Sequence, residues 1–208
     1  MSTNAPDPTY TTPGWTTQAN GNEAVTAGAG TAAAAVDPNG FQVKAFSPDI
    51  LAIAGVTATA GTAWGTKMVA PGAFSTSKAG LYINTVATTP THGWVYLLDA
   101  SGNLKAVTAD MTTSAFTAGT GYQTFNWTST VALPAGVYYA VALMVGGTAL
   151  KFGGLASPGA GANVNTSAAA GNLRFATFGT GLSATLSTPF TMTGMVADST
   201  MQLWAALA

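Results

Sequence analysis

The chain contains one histidine, His92, the side chain best suited to act as a general base near neutral pH. It lies in the sequence Thr-Pro-Thr-His-Gly, ahead of an apolar run. Nucleophilic catalysis also requires a nucleophile and a group that orients the base. A lone histidine between these turn-forming residues is typical of a loop, so we interpret His92 as a turn residue and predict no catalytic residues.

Hydrolysis by paired carboxylates requires two acids at a defined separation, one with a raised pKa. The chain has seven acids, and each one lies in the N-terminal region or in a sequence typical of a turn. No phosphate-binding loop or dinucleotide fingerprint is present in the sequence. We therefore expect a protein that is not an enzyme and that has no cofactor. The acids are Asp7, Glu23, Asp37, Asp49, Asp99, Asp110 and Asp198.

One group of oxygen-bearing residues has a spacing similar to that of a calcium loop. Asp99, Ser101 and Asn103 alternate, and Asp110 follows eleven residues after Asp99. The glycine, however, stands at the fourth position of this loop, where a calcium loop has it at the sixth. Hairpin-turn chemistry, in which Asp and Asn side chains bind their own backbone, explains the same residues better. We predict a turn here and no metal site.

The aromatic residues suggest a different kind of site, because flat rings can contact the apolar faces of sugars. The chain has five tryptophans and six tyrosines. A sandwich of this size needs most of them for its core. Tyr96 and Tyr138 are the tyrosines that we expect to be exposed, and we name them as candidate contacts for a glycan.

The overall composition is unusually poor in charge. Charged residues make up 6% of the chain, against about 25% in ordinary domains. The net charge is −1 and the six basic residues are scattered singly, so we expect no nucleic-acid partner. No apolar run approaches the ~20 residues of a spanning helix, and we expect no membrane partner. Without cysteines a disulfide framework is excluded. A weakly charged surface favours self-association.

The N-terminal region differs from the rest of the chain. Residues 1–48 are rich in Pro, Gly and Ala, and this composition alone cannot offset the entropy lost on ordering. We expect an extended arm that lies against another subunit; the alternative is that it packs on its own domain. Residues 49–63 are either a linker, which we favour, or the first strands. The sequence also lacks a signal peptide at its start, and we expect synthesis in a cytosol. The candidate anchoring residues of the arm are Tyr10, Trp15, Val25 and Val36.

From residue 64 to residue 208 the pattern is that of short strands separated by turns. The clearest strand is residues 137–145, where both alternating faces are apolar, which is typical of a central strand. No segment has helical spacing over ten or more residues. We predict an all-β fold, an antiparallel, jelly-roll-like β-sandwich that follows the arm. The other predicted strands are residues 81–84, 94–98, 104–107, 122–127, 173–178 and 201–207.

Several of these segments, taken in order, resemble a β-sandwich module of tailed phages that infect actinobacteria. They are residues 80–83, residues 94–104 (Trp-Val-Tyr-Leu-Leu-Asp-Ala-Ser-Gly-Asn-Leu), residues 133–139 (Leu-Pro-Ala-Gly-Val-Tyr-Tyr), residues 171–176 and residues 202–207. The module is found in minor tail, fibre and head-surface proteins. It has no catalytic motif, so the resemblance implies no site residues.

The resemblance implies a structural protein of the virion, assembled in the host cytoplasm. Because the chain is short, a capsid decoration or head-fibre protein anchored by its arm is the favoured interpretation. Its partners would be the major capsid protein or tail proteins and further copies of itself, in a small cyclic oligomer such as a trimer. The alternative is a minor tail protein that binds a host-surface glycan. A carbohydrate hydrolase is a third, remote alternative.

Overall fold

The computed structural model describes residues 15–17, 23–25, 41–45, 52–156, 173–197 and 201–208. The chain forms two compact units, Met1–Val36 and Asp37–Ala208. In the first unit two strands form an antiparallel pair in which Trp15 lies opposite Val25. The candidate anchoring residues Tyr10 and Val36 lie outside the described residues, and only the backbone is described at Trp15 and Val25.

The described residues are almost entirely β, and every strand pair is antiparallel. Two short 3-10 turns, Thr112–Ser114 and Met192–Gly194, interrupt the strands. The strands, in chain order, are β1 (Trp15–Thr17), β2 (Glu23–Val25), β3 (Val43–Lys44), β4 (Ala52–Thr57), β5 (Ala63–Ala70), β6 (Phe74–Thr85), β7 (Thr88–Asp99), β8 (Leu104–Val107), β9 (Gly121–Leu133), β10 (Gly136–Thr148), β11 (Lys151–Ala156), β12 (Phe175–Gly179), β13 (Val196–Ala197), β14 (Met201–Leu203) and β15 (Ala205–Leu207).

The second unit is a sandwich of two sheets. Sheet one has the strand order β13-β12-β5-β10-β7-β8. In sheet two, β6 pairs with β9 along one edge. Along its other edge β6 pairs first with β15 and then with β11. Strand β3 extends the sheet beyond β15, and β4 and β14 both pair with β11. The prediction of an all-β antiparallel sandwich is confirmed.

The inner faces of the two sheets form the main core. Alternation along each strand sends every second side chain inward. Thus Leu97 of β7 and Met144 of β10 belong to the same cluster as Leu81 and Ile83 of β6 and Phe152 of β11. All five side chains are almost completely buried. Burying such side chains stabilises the fold by roughly 1.5–3 kcal/mol each.

A second core covers the outer face of sheet one. Tyr139, Val141 and Leu143 are the outward side chains of β10, and they are nevertheless buried. The chain that follows β12 crosses this face and packs Leu186 and Met192 against it. Both faces of β10 are therefore buried, which confirms the prediction of a central strand in this segment.

Two predicted boundaries differ from the structure. The favoured interpretation of residues 49–63 as a linker is wrong at residues 52–57, because these form β4 and pair with β11. The predicted arm also extends too far along the chain. Phe41 and Val43 are buried in the second unit, and β3 pairs with β15. The segment after residue 40 is thus part of the sandwich.

Candidate functional site

The interpretation of His92 as a turn residue is wrong, because His92 lies within β7 and pairs with Val145 of β10. Its side chain forms a close pair with Asp110. The His92 Nδ1 atom lies 2.6 Å from the Asp110 Oδ2 atom, and the imidazole stacks on the Trp94 ring at 5.6 Å. The other oxygen of Asp110 accepts hydrogen bonds from the backbone N–H groups of Thr112 and Gly93. Asp110 therefore ties the 3-10 turn after β8 to the strand β7.

The hydrogen bonds that Asp110 accepts lower its pKa. Partial burial tends to raise the pKa of Asp110, but the Thr112 N–H, the His92 ring and the Gly93 N–H together hold that pKa below its ordinary value. Among the described residues, the His92 ring forms its hydrogen bond with Asp110. The pair has the base and the orienting acid of a catalytic triad. Its hydrogen bonds join the segment around Asp110 to β7.

Asp99 forms a turn, as the sequence predicts. Its Oδ1 atom accepts hydrogen bonds from the backbone N–H groups of Ser101 (2.8 Å) and Asn103 (3.0 Å). Its Oδ2 atom accepts from the Asn103 side chain and lies 2.9 Å from the Lys105 Nζ atom. Burial tends to raise the pKa of Asp99, but the Asn103 and Lys105 contacts and the two N–H groups lower it to about 2.

The geometry separates the residues that resemble a calcium loop. Asp99 stands at the end of β7, whereas Asp110 binds Gly93, six residues earlier on the same strand. Six residues of extended chain span about 20 Å, so the two carboxylates cannot share one ion. Within the described part of the chain, no group of three or more potential metal ligands occurs.

No helix in the described residues has the length and apolar character to cross a membrane.

The expectation that Tyr96 and Tyr138 are exposed is wrong, since both are 3% exposed. The Tyr96 hydroxyl accepts a hydrogen bond from the Leu186 N–H, on the chain that covers sheet one. Burial raises the pKa of Tyr96, while that hydrogen bond acts in the opposite direction. Tyr138 packs in the main core and its hydroxyl donates to the Pro134 carbonyl. Neither ring has the free face that a glycan contact requires.

A different group of aromatic rings lies on the outer face of sheet two. Tyr122 packs edge-on against Tyr82 at 5.0 Å and against Trp204 at 4.9 Å, and Phe41 packs against Trp204 at 5.4 Å. Gly80 lies beneath the Phe41 ring, where an added Cβ atom would come within 2.5 Å of a ring carbon. We call Phe41, Tyr82, Tyr122 and Trp204 the outer aromatic cluster. Tyr122 is its most exposed member, at 40%.

The outer aromatic cluster continues into an uncharged strand. Among the described strands β9 pairs only with β6, so it is an edge of sheet two, and one isolated bridge joins its Trp127 to Thr108. Its thirteen residues include no Lys, Arg, Asp or Glu. Natural edge strands are commonly protected by charged side chains, and β9 lacks this protection. We call five of its exposed side chains the β9 face: Tyr122, Thr124, Asn126, Thr128 and Thr130.

The sequence pattern predicts the exposure of Tyr122, although we expected Tyr96 and Tyr138 to be the exposed tyrosines. In residues 121–127, Phe125 and Trp127 are the large apolar side chains at alternating positions, and both contact the main core. Alternation then sends Tyr122 to the opposite, solvent-facing side of the strand. Tyr122 is five positions before Trp127, so alternation places the two side chains on opposite faces of the strand.

Comparison with known proteins gave no relative. No protein-family model, no curated protein and no solved structure matches the chain. The description of the fold and of the candidate site is therefore based on the sequence and structure of this chain.

Proposed function

We propose that this protein is a non-enzymatic structural protein displayed on the surface of a tailed-phage virion. In this proposal it is a capsid decoration or head-fibre protein that is anchored through its N-terminal unit. It assembles in the host cytoplasm and contacts the major capsid or tail proteins and further copies of itself. The order of strand and turn segments that resembles the phage module supports the phage assignment.

The observation that carries a structural role is the β9 face. The centres of protein interfaces are depleted in charge and enriched in aromatic residues. The β9 face has no charged side chain, and its Tyr122 belongs to the outer aromatic cluster. An edge strand also presents backbone N–H and C=O groups that a neighbouring strand can bind. A surface of this kind suits permanent contact with identical neighbours. The two described carboxylates hold local structure, which favours a non-enzymatic role.

Locating the protein tests the proposal directly. Particles purified from lysates in which the protein is made should contain it at a fixed copy number by quantitative mass spectrometry. Immunogold labelling should place it on the head. Absence from purified particles would overturn the proposal, and labelling confined to the tail would favour the alternative below.

Point variants test the role of the β9 face. Changing Thr124→Lys and Thr128→Lys together should leave the sandwich folded, because both side chains are exposed, and should abolish incorporation into particles. The matched control is Ser183→Lys with Thr185→Lys, which adds the same two charges to exposed positions on the chain that covers sheet one. Equal incorporation of the two double variants would contradict a role of β9 in assembly.

The outer aromatic cluster favours a second candidate, a minor tail protein that binds a host-surface glycan. The exposed ring of Tyr122, with the partly buried ring of Tyr82 beside it, offers a contact for the apolar face of a sugar. In that case purified protein should bind host cell-wall fragments, and Tyr122→Ala should abolish binding. Tyr122→Phe should retain it if the ring face makes the contact. A decoration protein should instead change particle stability while leaving adsorption to cells unchanged.

A further inference from the structure

The connection between β12 and β13 is long and folds back over the outer face of sheet one. The two strands pair directly, with Thr177 opposite Val196, so both ends of the connection are held at the same edge of the sheet. Residues 180–195 lie between them; all are described, and none belongs to a strand. We call residues 180–195 the cover. Its length is that of an Ω-loop, a compact loop of about 6–16 residues whose ends lie close together.

Hydrogen bonds fasten the cover at separate points. Three of its backbone N–H groups, four residues apart, donate to acceptors in other segments of the chain. The bonds run from Leu182 to the Gly61 carbonyl (2.9 Å), from Leu186 to the Tyr96 hydroxyl (3.0 Å) and from Phe190 to the Gly102 carbonyl (2.8 Å). The donor residues also place their side chains in or against the second core. A segment held in this way, without strand pairing, opens at a lower cost in free energy than the strands beneath it.

The cover begins at two glycines that suit a hinge. Gly179 has a φ angle of +154° and Gly181 one of +67°, values that favour glycine. Hinge positions must absorb changes in φ and ψ. The pairing of β12 with β5 ends at Gly179, and an added Cβ atom at Gly181 would meet nothing within 4 Å. Rotation at these residues therefore leaves the strand pairs of sheet one intact.

The surface beneath the cover is aromatic and contains a hydroxyl group without a partner. The Phe190 ring of the cover packs on Phe178 at 5.0 Å, and Phe178 packs on Tyr139 at 5.5 Å. Tyr139 is 1% exposed, and among the described residues its hydroxyl has no hydrogen-bonding partner. Burial raises the pKa of Tyr139 to about 12. A buried hydroxyl of this kind destabilises the closed arrangement, because water can bind the hydroxyl only when the cover is open.

We propose that the cover opens as one unit while both sheets stay folded, and that the Tyr139 hydroxyl favours opening. The aromatic face of sheet one is accessible only in the open state. That face combines apolar rings with the hydroxyls of Tyr96 and Tyr139, a combination typical of surfaces that receive small, mainly apolar ligands. The proposal concerns the face opposite the main core of sheet one, and it does not depend on the virion role.

Native-state hydrogen exchange of the full chain, followed by NMR, tests whether the cover is a unit. The amides of Leu182, Leu186 and Phe190 should have similar protection, at least about 100-fold weaker than that of the β10 amides. Low urea concentrations should accelerate them less than the β10 amides, because local opening exposes less surface than global unfolding. Exchange of the three amides only together with β10, or protection that differs among them by more than about tenfold, would overturn the proposal.

Tyr96→Phe removes the central acceptor and tests whether the three bonds act together. If the cover opens as a unit, the amides of Leu182, Leu186 and Phe190 should all exchange about tenfold faster, the value of one hydrogen bond. Acceleration confined to Leu186 would show that these residues open separately, which contradicts the proposal.

Tyr139→Phe tests the role of the unpartnered hydroxyl. Exchange of the cover amides should become about tenfold slower, because the closed state then contains no hydroxyl without a partner. Tyr138→Phe is the matched control, since Tyr138 packs in the main core and its hydroxyl already donates to the Pro134 carbonyl. The control should change cover exchange by less than about twofold. Unchanged cover exchange in Tyr139→Phe, or an equal slowing in Tyr138→Phe, would overturn the role of Tyr139.

Discussion

The outer faces of the two sheets differ in how far the chain covers them. On sheet one, outward side chains such as Tyr139 and Val141 are covered by the chain after β12 and form a second core. On sheet two, Trp204 is buried within the outer aromatic cluster, but Tyr122 and the rest of the β9 face remain exposed. The chain thus covers the outer face of sheet one, whereas the β9 face of sheet two is exposed. We expect substitutions on the first to affect stability and substitutions on the second to affect assembly.

The largest expected effect is on the covered face. Phe178 is 1% exposed, and its ring contacts those of Tyr139 and Phe190. Phe178→Ala removes the ring and leaves a cavity, so the free energy of unfolding should fall by about 3–5 kcal/mol. Tyr122→Ala, on the exposed face, should cost less than half of that amount. Urea denaturation of both variants measures the difference, and equal losses would contradict the distinction between the faces.

A smaller effect is expected where the outer aromatic cluster meets its sheet. Gly80→Ala places a methyl group against the buried Phe41 ring, and such overpacking costs about 1–3 kcal/mol. Gly72→Ala is the matched control, since an added Cβ atom there meets nothing within 4 Å. The control should be neutral or slightly stabilising. Thermal unfolding compares the two.

A second variant tests the cause of the Gly80 effect. Phe41→Leu replaces the ring that the new methyl group would meet. In the Gly80→Ala background it should therefore cost less than it does alone. A strictly additive double variant would show that the Phe41 ring is not what excludes a side chain at residue 80.

The parts of the fold that depend on local pattern were predictable from sequence. Alternation identified β10 as a central strand, and the spacing of Asp99 and Asn103 identified the turn after β7. Strand β4 was harder to predict, because its sequence (Ala-Ile-Ala-Gly-Val-Thr) does not alternate apolar with polar residues and its partner, β11, follows almost a hundred residues later. The pairing of β4 with β11 therefore has no signal in the local sequence.

Whether a side chain is exposed was not predictable where a distant segment of the chain covers it. Tyr96 is buried because Leu186, ninety residues away, lies over it. No local pattern around Tyr96 contains that information. Lys44, Lys67 and Arg174 are a similar case, because they are distant in sequence and line one depression only in the folded chain. The β9 face, by contrast, follows from the alternation around Trp127.

The smallest expected effect is at a turn that holds the cover of sheet one. The Gly102 carbonyl, in the turn organised by Asp99, accepts a hydrogen bond from the Phe190 N–H of the covering chain. Asp99 has a pKa of about 2 in the folded protein, below the ordinary value of 3.8. A lowered folded pKa stabilises the protein above pH 4–5, and that stability is lost as the pH falls toward 2. Asp99→Asn should therefore reduce the free energy of unfolding by about 1–2 kcal/mol at pH 7, after allowance for solvent screening.

The pH dependence distinguishes this charge effect from a loss of turn geometry. At pH 3 the difference between wild type and Asp99→Asn should shrink by about half, because the unfolded state then takes up a proton that folding releases. Lys105→Gln removes one of the contacts that lower the Asp99 pKa, and should cost less than Asp99→Asn at pH 7. Urea denaturation at pH 7 and pH 3 measures all three chains. A difference that stays constant with pH would show that Asp99 holds the cover through turn geometry alone, without a contribution from its charge.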